Sequence, residues 1–304
     1  MSTSTLPRKI VADAEALEIA GLARKNRAKP GQMVLAVVSV VFVLYLVIAF
    51  ARGDINWGTV GKYLAHPTIL VGLVNTIVMT FIAMAIGLTL GVVFAVMRIV
   101  PNVVLNKISI GYIWLFRGIP QLLQLFLWYN MALIFPAIGI PGLFEAQTID
   151  FMTPFVATVL GLGLCQGAYT SEVVRAGILS VDKGQIEAGQ AVGMTGRRVM
   201  MRITLPQAMR VIVPPVGNEF ISMVKLTSLA SAIQFSEILH NAQNIYFVSG
   251  QVMELLFVAT FWYLIVVTIF TVIQHFIEAR LSRGYTATRA VKTVTEAIRL
   301  EEAK

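Results

Sequence analysis

From Gln32 to Phe50 the chain carries no charged residue, and at about 1.5 Å rise per residue that run is long enough to cross the ~30 Å hydrocarbon core of a bilayer. Further apolar runs cover about 68–97, 120–135, 151–169 and 252–277, and another starts near Pro206. Lipid offers a backbone amide no hydrogen-bond partner, so spanning segments must satisfy their polar groups internally, as helices do. The pattern predicts an all-α polytopic membrane protein. Charged residues make up 13% of the 304 residues, about half the ~25% of a soluble domain, which leaves no room for a large soluble domain.

The net charge of +8 would suggest nucleic acid in a soluble protein. Here sorting by membrane side is a sufficient account, and no nucleic-acid partner is expected. Arg24, Lys25, Arg27 and Lys29 flank the first run and hold the N-terminus in the cytoplasm. With six crossings, almost all other Lys and Arg residues fall on the same side, including Arg98, Lys107, Arg117, Arg175, Lys183, Arg280 and Arg283. The exceptions are Arg52 and Lys62 outside and Lys225 within the membrane region. The connection around 98–117 therefore reads as cytoplasmic, and Pro120 opens the third crossing. Trp57 and Tyr63 suit an outer interface, and 226–251 reads as short helices at the outer mouth. The single Cys165 sits in an apolar run as a small hydrophobe, and no metal-ligand spacing or Gly-rich phosphate loop is found. Any nucleotide must be bound by another chain.

Between crossings lies a polar hairpin, Val181 to Pro215. Asp182 with Gln185 three residues on reads as a capping box, and Gly193 suits the left-handed residue that ends a helix. The helix between them is about 15 Å long, half a bilayer crossing. Its centre, Ala188 to Ala191, has small side chains that let another surface approach. A second short helix follows Thr195 with Arg197, Arg198 and Arg202, and Pro206 starts the next crossing. A short exposed helix on the charged side of a membrane protein reads as a docking site. The crossing after Pro206 is expected to be interrupted at Pro214-Pro215.

Glu187-Ala188-Gly189, then Gly193, then Ile203-Thr204-Leu205-Pro206 resembles the EAA loop of ABC-importer permeases, with Gly189 in place of the third Ala. Gly72 to Thr76, Phe116 to Pro120 with Gln124 to Phe126, Ala168 to Glu172 with Arg175, and Gly217 to Ile221 with Lys225 and Thr227 to Leu229 are similar to the polar amino-acid branch of that family. Leu226 departs from it, standing where those proteins often carry Asp or Asn. The resemblance implies a type I importer-like permease fold of five core helices over 68–284, with a coupling loop at 181–206. Outside it lie a cytoplasmic N-terminal segment at 1–31, an extra transmembrane helix at 32–50 and a cytoplasmic tail at 285–304. It also implies a multi-pass protein of the bacterial cytoplasmic membrane. The implied partners are two ATP-binding subunits carrying ATP and Mg, a second permease subunit, identical or homologous, and an external amino-acid-binding protein. This chain would bind no cofactor and no metal, and would catalyse nothing itself.

On that reading Glu187, Ala188, Gly189, Gly193, Met194, Leu205 and Pro206 serve ATPase coupling. Glu172 and Arg175, spaced to pair on one helix face, support the loop. Glu219 and Lys225 are charges on a crossing and are candidates for the substrate path, contacting the α-ammonium and α-carboxylate of an amino acid. They equally suit pairing between helices or, for Lys225, snorkelling to the outer interface. Asn75, Gln121, Gln124, Asn130 and Gln166 are polar positions whose commonest use is an interhelical hydrogen bond, with Asn75 and Gln124 also path candidates. Trp114, Trp128 and Tyr129 read as packing and interface residues. The expected function is import of a polar amino acid driven by a partner ATPase. The rival is a self-sufficient ion-coupled transporter, which needs a mid-membrane charge site and usually an inverted repeat. Gly193→Val should place a β-branched side chain at positive φ, a strain of about 1–3 kcal/mol. Recovery of the ATP-binding subunit and uptake should both fall, and unchanged values would count against the docking assignment.

Overall fold

The computed structural model describes residues 30–53, 55–140 and 144–281. Residues 1–29, with Arg24, Lys25, Arg27 and Lys29, lie outside the described residues, as do Arg283 and the tail expected over 285–304.

Helix α1 (Pro30–Ala51) forms a unit of its own. It contains no charged residue, and its described side chains are exposed. The second unit begins at Asn56. It runs α2 (Trp57–Leu64), α3 (Pro67–Ile99), α4 (Val103–Gly118), α5 (Gln121–Tyr129) and a two-stranded hairpin. The chain continues through α6 (Thr148–Phe151), α7 (Pro154–Leu179), α8 (Lys183–Ala191), α9 (Gly196–Val199) and α10 (Leu205–Leu226), closing with α11 (Ile238–Ser249) and α12 (Val252–Leu281). Helices α1, α3 and α12 are each long and apolar enough to cross a membrane. Helices α7 and α10, 26 and 22 residues long, have the length but carry polar and charged side chains among their apolar ones.

The most extensive helix pair is α3 with α7. Its backbones meet through small residues, as packing in lipid favours when no hydrophobic effect drives helices together. A Cβ added at Gly91 would lie 2.6 Å from the Thr170 Cβ, and one at Gly167 would lie 2.8 Å from the Leu90 Cβ. Around this pair Met79, Ala83 and Met84 of α3, Leu125 of α5, Leu162 of α7 and Met223 of α10 form one buried core.

The third crossing differs from the sequence reading. Residues 103–118, read from charge as a connection, form a helix packed along α3 and α7. The Ser109 hydroxyl donates to the Phe94 carbonyl at 2.8 Å, and Tyr112 donates to the Leu164 carbonyl at 2.6 Å while its ring stacks on Phe94 at 3.8 Å. The chain then turns by 99° between α4 and α5, and the bent pair together has the length and apolar composition of a broken span or a re-entrant loop. Pro120 is the physical cause, because it holds Ile119 extended (φ −96°, ψ 132°) and contributes no N–H to the turn. Gln124 splints the bend, its Nε2 donating at 2.9 Å to the Phe116 and Ile119 carbonyls that the break releases.

Other boundaries shift less. The fourth crossing, α7, reaches Leu179 rather than ending near Tyr169. The outer loop at 137–150 holds an antiparallel hairpin, Ala137–Ile140 with Phe144–Gln147, registered Ala137 against Gln147, a small exception to an all-α fold. Helix α10 stays helical through Pro214-Pro215, contrary to the expected interruption. Beside the prolines, the Gln274 Nε2 of α12 donates to the Pro214 carbonyl at 3.2 Å. The outer-mouth stretch is a 3₁₀ turn, Thr227–Ile233, followed by α11. Buried Glu237 caps α11, accepting from Leu239 N at 2.8 Å and His240 N at 2.6 Å, and the Tyr263 hydroxyl of α12 donates to it.

Gly91→Leu should force α3 from α7 and lower the melting temperature of the purified complex, at a cost of about 1–3 kcal/mol for overpacking. Gly111→Ala on α4, where an added Cβ meets nothing within 4 Å, should leave it unchanged or raise it slightly. Equal losses in both variants would refute the close-approach account.

Candidate coupling hairpin and polar face

The polar hairpin folds as its spacing predicts, with one difference. Asp182 caps α8, its carboxylate accepting from Gly184 N at 2.7 Å. Gln185 does not return to the Asp182 backbone to complete a capping box. It accepts instead from Gln207 Nε2 at 2.6 Å, which ties α8 to the first turn of α10. Gly193 has φ +81°, and the chain closes the helix by Gly193 N donating to the Gln190 carbonyl (2.9 Å) and Met194 N to the Gly189 carbonyl (3.1 Å). This is a left-handed helix end, where glycine carries no side-chain penalty. Thr195 precedes α9, a π-turn over Met200–Thr204 follows, and Pro206 lies in the first turn of α10.

Within that hairpin the EAA-like residues face different ways. Glu187, Ala188, Gly193 and Pro206 are exposed, Met194 and Leu205 are half-buried, and Gly189 is buried. The small side chain at Gly189 therefore serves the hairpin's own packing rather than an approaching surface. A Cβ there would lie 2.7 Å from the Ile203 Cδ1 and 3.2 Å from the Val199 Cγ2. The Ile203 methyl occupies the space that the family's third alanine would use.

Above the hairpin, three charges join the ends of two crossings. Glu172 takes Arg98 of α3 on one oxygen at 2.5 Å and Arg175 on the other at 2.8 Å. Glu172 and Arg175 thus meet as their spacing predicts. Arg98 is the member that sequence reading missed, because its partner lies in a different crossing. Beneath the triad, Ala95, Val174, Val181, Ala208 and Ile212 form a buried cluster that continues into the hairpin.

The path candidates separate into two kinds. Gln124 is 3% exposed, and its amide nitrogen donates at the bend. Asn75 donates to the Ser236 carbonyl at 2.7 Å, binding α3 to the outer-mouth turn. Gln121 donates to the Cys165 thiol at 3.2 Å, and Asn130 to the Phe126 carbonyl at 2.9 Å. Lys225 is exposed at the end of α10.

Glu219 is half-buried and accepts from Gln166 Nε2 at 2.7 Å and from the Thr170 hydroxyl at 2.9 Å, both on Oε2. Arg117 stands at the bend with its guanidinium 4.9 Å from the centre of the Tyr169 ring. Tyr169 lies ten residues, about 15 Å, from the coupling-loop end of α7. Arg117 belongs to the Phe116–Pro120 stretch quoted above, but its contact with Tyr169 joins two separate elements and no spacing announces it. Among the tryptophans, Trp114 is 74% exposed, while Trp128 and Tyr129 pack against the central core.

The family model described as "Binding-protein-dependent transport system inner membrane component" matches residues 87–283. The arginine transport system permease protein ArgU of Corynebacterium glutamicum is 36% identical over 262 residues, 85% of this chain and 83% of that protein. The L-cystine transport system permease protein TcyB of Bacillus subtilis is 38% identical over 218 residues, 71% of this chain and 88% of its own. The crystal structure of an amino acid ABC transporter with histidines superposes with a TM-score of 0.65 at 32% identity, over 75% of this chain and 99% of that one. A bacterial ABC transporter involved in import of the acidic polysaccharide alginate shares the fold, with a TM-score of 0.59 at 13% identity. The chain belongs to the binding-protein-dependent transport system inner membrane components, and is an ABC-importer permease rather than a self-sufficient transporter.

Proposed function

We propose that this permease carries a polar amino acid or a close derivative, delivered by an external solute-binding protein and driven by ATP-binding subunits docked at α8. The amino-acid reading is supported by relatives over 30% identical whose names give arginine, cystine and nopaline as cargo. The docking reading is carried by one observation, an exposed nine-residue helix that is closed by a left-handed glycine and tied back to α10. Its exposed residues, Glu187 and Ala188 foremost, would seat in a groove on the ATPase. ATP and Mg would be bound there and not by this chain. Two permease subunits, identical or homologous, would pair across the transport path.

When the two ATPases close, they would draw the coupling helices together. The Arg98–Glu172–Arg175 triad and the cluster under it join α3 and α7 to α10 and to Val181 just ahead of α8, and Gln185 with Gln207 ties α8 to α10. A push on α8 would then move those crossings as a body and exchange inward-open for outward-open packing. The hairpin's basic residues Lys183, Arg197, Arg198 and Arg202 support, by the positive-inside rule, a position in the cytoplasm with ATP. Both termini would lie on that side.

Ala188→Glu should abolish co-purification of the ATP-binding subunit from native membranes while the permease still folds. Retention of the subunit by that variant would refute docking at α8. Glu172→Gln removes the shared partner of two arginines at about one-quarter exposure. Its cost should fall between the ~0–1 kcal/mol of an exposed pair and the ~3–5 kcal/mol of a buried one. ATP hydrolysis should continue with uptake reduced several-fold, and full uptake would show that the triad plays no part in coupling.

A further inference from the structure

A long apolar groove of about 970 Å³ runs between α3, α10 and α12, over one edge of α7. Its α3 wall is a row at helical spacing, Phe81, Leu88, Val92, Val96 and Ile99, that covers eighteen residues, about 27 Å. Three rings that pack on one another wall the far end. Phe81 meets Phe220 of α10 at 5.1 Å and Phe270 of α12 at 6.1 Å, and Phe220 meets Phe270 at 4.8 Å. The other end reaches exposed Val100, Met200 and Ile277, beside the coupling hairpin. Among the described residues Gln274 is the only polar side chain on the lining, and its amide nitrogen donates to the Pro214 carbonyl and to Glu278. Such a wall suits neither a polar cargo nor an interface between permeases, since protein interfaces carry about one hydrogen bond per 100–200 Å². Charge enters at the mouth. On α12 the lining residues Phe270, Ile273 and Ile277 recur three and four apart, and Arg280 is next in that row. Arg202 stands in the π-turn between the lining residues Met200 and Leu205. Both arginines are exposed and make no ion pair among the described residues, whereas Arg98 is held by Glu172.

We propose that this groove binds an anionic phospholipid, with an acyl chain laid along α3 and the phosphate on Arg202 and Arg280. The ring-walled end takes the tip of the chain, and each guanidinium offers the phosphate paired N–H donors. A chain that leaves the bilayer for the groove gains no hydrophobic energy, because both surroundings are apolar. Its preference comes from contact with a fixed wall and from the two charges at the mouth, as in other basic pockets between crossings that hold anionic headgroups. Met200, Leu205 and Met209 carry the groove from the π-turn into the first turns of α10. The lipid therefore stands where α10 would swing toward α3 when the coupling hairpin is pushed, and import depends on it.

The test uses the complete complex with its ATP-binding subunits in phosphatidylcholine nanodiscs. It is labelled with phosphatidylglycerol or phosphatidylcholine carrying a diazirine at the tip of one acyl chain, and the labelled residues are mapped by peptide mass spectrometry. Phosphatidylglycerol should label Phe81, Phe220 and Phe270 at least fivefold more than phosphatidylcholine does. Leu264, exposed on α12 outside the groove, should show no such preference. Arg202→Gln combined with Arg280→Gln should bring the two lipids within twofold at the rings. Val92→Trp, which fills the groove, should remove label from the rings and leave that at Leu264. In wild type, labelling of the rings and Leu264 alike by both lipids would mean ordinary bilayer contact only and would overturn the proposal, even if no variant could be purified. So would a preference that survives the loss of both arginines. The photoreactive residue p-benzoylphenylalanine in place of Leu88 should capture lipid, and capture of a second permease or of residues 30–51 would overturn the lipid assignment. Import into proteoliposomes should rise several-fold as phosphatidylglycerol replaces phosphatidylcholine, and labelling without that rise would overturn the dependence of import on the lipid.

Discussion

The close approach of α3 to α7 is the contact on which the other elements depend. In lipid, two helices gain little by hiding leucines from a solvent that is itself apolar, so the gain comes from van der Waals contact and hydrogen bonds at short range. Gly91 against Thr170 and Gly167 against Leu90 bring the backbones together. That pairing sets where everything attached to either helix can stand. The ends of α3 and α7 meet at the Glu172 triad, the middle of α7 meets α10 at Glu219, and the other end of α3 meets α11 through Asn241 and the residue Ser236 ahead of it through Asn75.

A second constraint acts at the bend after Gly118. A proline that removes an N–H inside a membrane leaves carbonyls that must find other donors. Here one side chain, Gln124, serves two of them. The turn keeps α4 on the α3–α7 pair while redirecting α5, and it leaves Arg117 at the break, over the Tyr169 ring.

The coupling hairpin shows the same economy at smaller scale. Its single departure from the family pattern, glycine for the third alanine, is matched by the Ile203 methyl standing in the vacated space. The external face, with Glu187 and Ala188, is kept apart from this internal adjustment.

Much of the protein was legible in one dimension. Apolar runs without charge, Gly193 at a helix end, Asp182 as a cap, and Glu172 three residues before Arg175 all express local physics: helical rise, backbone sterics and the i,i+3 face. So the class and the hairpin followed from the chain itself. The helix at 103–118 did not, because its two basic residues, Lys107 and Arg117, and Arg98 before it outweighed its packing face when only charge could be read. Arg98 with Glu172, Arg117 with Tyr169, and Gln166 and Thr170 with Glu219 join residues 49 to 74 positions apart. Their meeting depends on how closely two helices approach and where a third one bends. Those are distances between elements, and no spacing within the sequence encodes them until the helices pack.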